Sequence, residues 1–148
     1  FLVHAGDDLI LSKNNNYLER LNDVFAKNKA DAVFLVSEID DPHKFGVISG
    51  ELVSKGVYKV SNIIEKPVIP PSNLAVIAIY IFSPKIHDAL KAIPTSPNSE
   101  LQLTDGINHL ISSGNNVYAV SLDEHEQRIE IGTADSYLSS INELLNRF

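Results

Sequence analysis

Nine residues from Leu74 to Phe82, reading LAVIAIYIF, constrain this chain more than any other stretch. The run carries no charge and is dominated by β-branched and aromatic side chains, so it reads as a long buried strand. Tyr80 lies inside it with a hydroxyl that needs a partner if buried. Upstream, Val57–Glu65 reads as another strand that stops at Glu65-Lys66-Pro67, because Pro67 has no N–H to donate and pushes Lys66 toward an extended conformation. A carboxylate and an ammonium therefore stand side by side at a strand end. On these residues alone they read as a solvated charge pair before a loop.

The rest of the chain alternates strands and helices. Phe1–His4 reads as a short buried strand, and Gly6-Asp7-Asp8 as the turn at its carboxyl end. In open α/β sheets ligands bind outside such ends, so an aspartate there can hold a cation; it can equally just shape the turn. Asn14-Asn15-Asn16 offers capping side chains to a helix whose Tyr17, Leu18, Leu21, Val24 and Phe25 share one face. Ala32–Val36 is a continuous apolar run, expected of a strand buried on both faces of a parallel sheet, and strand–helix–strand in this order implies a right-handed crossover. Asp40-Asp41-Pro42 opens a turn, and Phe45-Gly46-Val47 enters a strand where glycine either admits a ligand to the backbone or supplies an unusual φ. Ser54-Lys55-Gly56 marks a hairpin turn.

After Phe82, Ser83-Pro84 suits the start of a short helix with Ile86 and Leu90 inward, and Pro94–Asn98 reads as a loop. Thr104-Asp105 opens a further helix with Ile107, Leu110 and Ile111 inward and Gly114 just past its end. Strands follow at Val117–Leu122 and Arg128–Ile131. Thr133 can cap a last helix in which Tyr137, Leu138, Ile141, Leu144 and Leu145 form the expected buried stripe. The pattern is α/β, and residues 1–148 read as a single domain.

Net charge is −7 and no Lys/Arg cluster occurs, which argues against nucleic acid and anionic membrane surfaces as partners. Without cysteine there are no disulfides and no thiolate metal sites, in keeping with a cytoplasmic protein. No apolar run is long enough for a membrane span. The five histidines show no metal-ligand spacing. The absence of methionine and the opening Phe1-Leu2-Val3 suggest a piece of a longer protein.

Six short motifs in order, Gly6-Asp7-Asp8, Asp41–Val47, Glu65-Lys66-Pro67, Ala75-Val76 with Tyr80, Glu100–Asp105, and Ile131-Gly132-Thr133 with Tyr137, together resemble the sugar-1-phosphate nucleotidylyltransferases, of the glucose-1-phosphate thymidylyl- and uridylyltransferase type. The resemblance implies a Rossmann-like nucleotide-diphospho-sugar transferase sheet, mixed but mainly parallel, here lacking its N-terminal strand, loop and helix. It also implies a reaction in which a sugar-1-phosphate oxygen attacks the α-phosphorus of a nucleoside triphosphate and pyrophosphate leaves. By the same resemblance Asp7 binds Mg²⁺, Lys66 contacts the sugar phosphate, and Gly46, Glu65, Val76 and Tyr80 hold the sugar. Thr104-Asp105 keeps its capping role, and Asp8 its turn role.

Departures from the family's pattern are specific. Its second metal carboxylate is an aspartate, usually preceded two positions earlier by tryptophan; this chain has Glu130 and Arg128 there. Glutamate can ligate Mg²⁺, but displacement on the order of 1 Å can cost about a hundredfold in rate. Ala78 and Ser99 stand where the family commonly has glycine, and its Gly-rich nucleotide loop is missing. Three readings follow: the sugar- and metal-binding portion of an active nucleotidylyltransferase, a non-catalytic relative that binds a sugar nucleotide or a subunit, or a related cytidylyltransferase or glycosyltransferase-like fold. With its first strand missing, Phe1–Val3, Val33–Val36 and one face of the last helix are expected to lack packing partners, which predicts a two-fold homodimer.

Overall fold

The computed structural model describes residues 1–94 and 100–145. Strands are β1 (Leu2–His4), β2 (Asp8–Leu11), β3 (Ala32–Glu38), β4 (Gly46–Ser54), β5 (Val57–Glu65), β6 (Leu74–Phe82), β7 (Val117–Ser121) and β8 (Gln127–Glu130). Helices are α1 (Asn16–Lys27), α2 (Lys85–Ala92), α3 (Leu103–Ser112) and α4 (Ala134–Leu145). Six strands form one sheet in the order β1-β6-β3-β7-β5-β4, and β2 pairs with β8 in a separate two-stranded ribbon.

β3 and β6 occupy the middle because neither has a polar face to show to water. Along β3 the side chains alternate between two cores. Ala32, Phe34 and Val36 point to the side covered by α2 and α3 with Ile86 and Ile107, while Val33 and Leu35 meet Tyr17 and Leu21 of α1. Tyr80 stacks on Phe82 at 5.3 Å and meets Phe34 at 5.9 Å between ring centres. One bridge from Val47 to Ala75 links β4 back to β6. The start of β4 and the end of β5 therefore lie beside the middle of the sheet.

The expectation of a mainly parallel sheet is overturned. Among the described residues only β3–β7 is parallel, and every other pairing is antiparallel. β6 lies between β1 and β3 and runs opposite to both, so the crossover through α1 joins two strands of like direction that are not neighbours. An apolar run reports burial on both faces, which antiparallel neighbours under two helical layers satisfy equally well.

Burial and capping geometry correct five further expectations. β1 is an exposed edge, with Phe1 and Leu2 each about half exposed, whereas Val33–Val36 is wholly enclosed and lacks no partner. The stripe on α4 is open, with Tyr137 51%, Leu138 60% and Leu145 70% exposed. No asparagine side chain caps α1; Asn15 takes the cap position through a left-handed backbone instead. α3 starts after Gln102, so Thr104 lies inside its first turn and makes no cap bond. Gly114 does follow the end of α3 with φ +78, and Thr133 Oγ1 does accept the Ser136 N–H at the start of α4. Ser83 Oγ accepts weakly from Lys85 N–H at 3.4 Å while donating to Asp31. The loop expected at Pro94–Asn98 falls, after Pro94, outside the described residues, as does Ser99.

Candidate functional site

A cleft of about 260 Å³ opens where four pieces of chain meet. β6 supplies Val76, Ala78 and Tyr80 as its floor, the β4 and β5 ends supply Gly46 and Glu65, α3 supplies Thr104, and the β2–β8 ribbon supplies Asp8, Arg128 and Glu130, with Asp7 just before it. Lys44 and Phe45 complete the lining. Six of the seven site residues anticipated from sequence are thus brought together. Lys66 is not among the lining residues; it is exposed beside Glu65, at φ 44, with its N–H on the Phe45 carbonyl at 3.0 Å. The expected extended conformation before Pro67 is overturned, since Lys66 takes a left-handed φ at the point where the β4–β5 pairing ends.

Gly46 is where it is for closeness and not for φ, which is not positive there. A Cβ on it would stand 3.2 Å from Glu65 Oε2 and 3.3 Å from Thr104 Cγ2, filling the gap between them. Glu65 is held in register by Asn108 of α3, which accepts from Ile63 N–H at 2.9 Å and donates to Ile63 carbonyl at 2.6 Å. Thr104, 8% exposed, has a hydroxyl with no hydrogen-bond partner among the described residues. Buried donors are seldom left so, and in a cleft an orphan hydroxyl marks a place for a polar ligand atom. Burial, and then the nearby charges of Glu65 and Asp8, push the Tyr80 phenol well above its ordinary range, so it remains a donor.

Asp8 corrects the expectation that it merely shapes a turn. Its side chain is 4% exposed, takes Arg128 Nε–H at 2.6 Å on Oδ1 and the Ala78 N–H at 3.0 Å on Oδ2, and so pins the ribbon to β6. Arg128 also lies over the Phe45 ring, 4.7 Å from its centre. Register places Asp8 opposite Glu130, and Ile131 N–H donates to the Asp7 carbonyl at 2.8 Å. In consequence Asp7 Oδ2 and Glu130 Oε1 lie 3.2 Å and 3.3 Å from where a Gly132 Cβ would be. Two carboxylates converging on one small space suit Mg²⁺, which takes one or two and completes its shell with water and phosphate oxygens. No group of three potential metal ligands occurs among the described residues. Glu100 and Asp105 are exposed and absent from the cleft lining.

Sequence reasoning missed Thr104 as a cleft residue, and it missed the Asp8–Arg128 pair. Nothing local to Asp8 signals a partner 120 positions away; only the β2–β8 pairing supplies it. A roomier concavity of about 540 Å³ lies between α1 and the β4–β5 turn, lined by Arg20, Lys27, Lys55 and Ser121 among others. Among the described residues it holds none of the sequence motifs and no orphan polar group. The smaller cleft, with convergent polar groups, is the better candidate.

Known proteins resemble the chain in sequence and in fold. A Bacillus subtilis protein provisionally named UTP–glucose-1-phosphate uridylyltransferase is 36% identical over 147 residues, covering 98% of this chain and 53% of its own length. The Haloferax volcanii UTP–glucose-1-phosphate uridylyltransferase AglF is 33% identical over 135 residues, 87% of this chain and 53% of that protein. Among solved structures, a UDP-glucose pyrophosphorylase complexed with UDP-glucose superimposes with a TM-score of 0.88 at 28% identity, over 100% of this chain and 57% of the other. The chain thus spans about half the length of the relatives it matches. With the profile of the family described as "Nucleotidyl transferase" matching residues 1–147, and the cleft assembled from the motifs that suggested it, the chain belongs to the nucleotidyl transferase family.

Proposed function

We propose that this chain is the sugar-phosphate- and metal-binding portion of a sugar-1-phosphate nucleotidylyltransferase that joins a nucleoside triphosphate and a sugar 1-phosphate into a nucleoside-diphosphate sugar and pyrophosphate. The observation that carries this reading is the convergence of Gly46, Glu65, Val76, Tyr80 and the orphan Thr104 hydroxyl on one cleft with Asp7 and Glu130 at its edge. Glu65 accepts hydrogen bonds from sugar hydroxyls, directionally and without competing as a donor. Gly46 lets the ring approach the backbone, and Val76 and Tyr80 form the wall against its apolar face. Lys66, exposed next to Glu65 in the chain, is the residue assigned to hold the sugar phosphate and steady the attacking oxygen. Mg²⁺ on Asp7 and Glu130 would offset charge between the reacting phosphates.

No Gly-rich triphosphate loop occurs within the 148 residues, so the chain alone is expected to bind a nucleoside-diphosphate sugar weakly and to release no pyrophosphate. Among the described residues no helix is long and apolar enough to cross a membrane, and a cytoplasmic setting is part of the proposal. The exposed β1 edge and the open face of α4 support the proposed two-fold homodimer. Calorimetry with UDP-glucose and Mg²⁺ tests the central reading: metal-dependent binding lost in Asp7→Asn is expected, and metal-independent binding unaffected by that change contradicts it. Arg128 and Glu130, where the family has tryptophan and aspartate, favour a second reading, a non-catalytic relative. Pyrophosphate release by a protein that adds the Gly-rich loop to this chain separates the two, since only the first reading predicts turnover.

A further inference from the structure

We propose that Arg128 determines which sugar enters: its free guanidinium edge reads a carboxylate on the sugar ring, so that the preferred ligand is a sugar-acid 1-phosphate. This rests on the sugar-phosphate reading of the cleft. Arg128 is fixed on two sides, by Nε–H to Asp8 Oδ1 at 2.6 Å and by the Phe45 ring at 4.7 Å, and its side chain is only 14% exposed. Among the described residues neither Nη1 nor Nη2 donates to anything, and neither is a fully enclosed orphan. Arg128 lines the cleft, and its four remaining N–H groups have no partner among the described residues.

Three properties of this arrangement select a carboxylate. An arginine donates only, and its planar fork answers two acceptor oxygens at once. A sugar hydroxyl satisfies one N–H, whereas a carboxylate satisfies two in one plane. The Phe45 ring covers one face of the fork, leaving in-plane approach. A phosphate dianion here would add two negative charges to a lining that already holds Asp7, Asp8, Glu65 and Glu130, whereas a carboxylate adds one. Lys44 in the lining and the exposed Lys66 suit the phosphate better, as compact cations without a fixed plane.

The test is titration of the ¹⁵N-labelled protein, with Mg²⁺, by glucuronic acid 1-phosphate, glucose 1-phosphate and inorganic phosphate, following the Arg128 Nε–H resonance and the dissociation constants. Glucuronic acid 1-phosphate is expected to bind about tenfold tighter than glucose 1-phosphate and to shift Arg128 Nε–H. Arg128→Gln is expected to bring the two constants within about twofold of each other. Arg128→Lys, which keeps the charge and loses the fork, restores at most part of the difference. Equal constants in the unaltered protein overturn the inference and leave the sugar reading standing. A loss in Arg128→Gln that is equal for both sugars and for inorganic phosphate overturns it too, making Arg128 a phosphate reader. Binding of neither sugar overturns the sugar reading and this inference together. Should Arg128→Gln not fold, the ratio and the Nε–H shift in the unaltered protein decide.

Discussion

The six-stranded sheet and the β2–β8 ribbon sit against each other but are held in place by different physics. Around β3 and β6 almost every side chain is apolar and enclosed, with two cores that need no polar contact to define them. The ribbon contributes Ile10 and Ile129 to the interior and otherwise docks through polar links. Asp8 bridges Arg128 and Ala78, Ser140 Oγ donates to the Glu130 carbonyl at 3.0 Å, and Arg20 grips Glu126 just ahead of β8 at 2.6 Å. The difference assigns the labour: the sheet supplies stiffness, and the ribbon supplies charge at a set position without depending on the core for its chemistry.

Removing core volume should produce the largest loss of stability. Phe34→Ala is expected to cost about 3 to 5 kcal/mol by urea unfolding, since the ring is fully enclosed and a cavity would remain. Asp8→Ala should come next, at about 3 kcal/mol, because it strands a mostly buried guanidinium and an amide N–H. A cost near zero would mean that the ribbon rests on Ile10 and Ile129 alone. Thr104→Val is expected to change stability by less than about 1 kcal/mol, and in the favourable direction, while weakening sugar-phosphate binding; the hydroxyl has no partner to lose among the described residues.

Acid should act on the ribbon before the sheet. Burial raises the Glu126 carboxyl, but hydrogen bonds from Arg20, the Asp123 N–H and Ser12, together with the Arg20 charge, outweigh it and hold the group below its ordinary 4.5. A depressed folded value means a stabilising contribution that is complete above the unfolded value and is lost as pH falls through the folded one. Thermal melts from pH 6 to 2, an interval of about four units chosen to span both values, should therefore show a steeper acid decline in the unaltered chain than in Glu126→Gln. Equal slopes would detach Arg20–Glu126 from the ribbon's stability. The smallest effect is expected of Asp7→Asn, within about 0.5 kcal/mol, because Asp7 is an exposed turn residue.

What the sequence disclosed follows the same division. Strand and helix positions were legible from periodicity, and Leu74–Phe82 came out with the bounds the structure has. Sheet direction was not, because burial on both faces leaves the same apolar signature whichever way the neighbours run. Motif residues such as Glu65 and Asp7 were legible through their resemblance to a family. Asp8, Arg128 and Thr104 were not, since their meaning depends on contacts from distant strands and, for Thr104, on a contact that is missing. α4 misled for a related reason: its stripe has helical spacing, but spacing cannot say whether anything covers it.

Chemical-shift mapping with glucose 1-phosphate and Mg²⁺ tests most directly the claim that the small cleft is the sugar-phosphate site. Amide shifts are expected at Gly46, Glu65, Lys66, Val76 and Thr104, with Mg²⁺-dependent changes at Asp7 and Glu130. Shifts centred instead on Lys55, Gly56 and Ser121, in the larger concavity beside α1, would contradict the account.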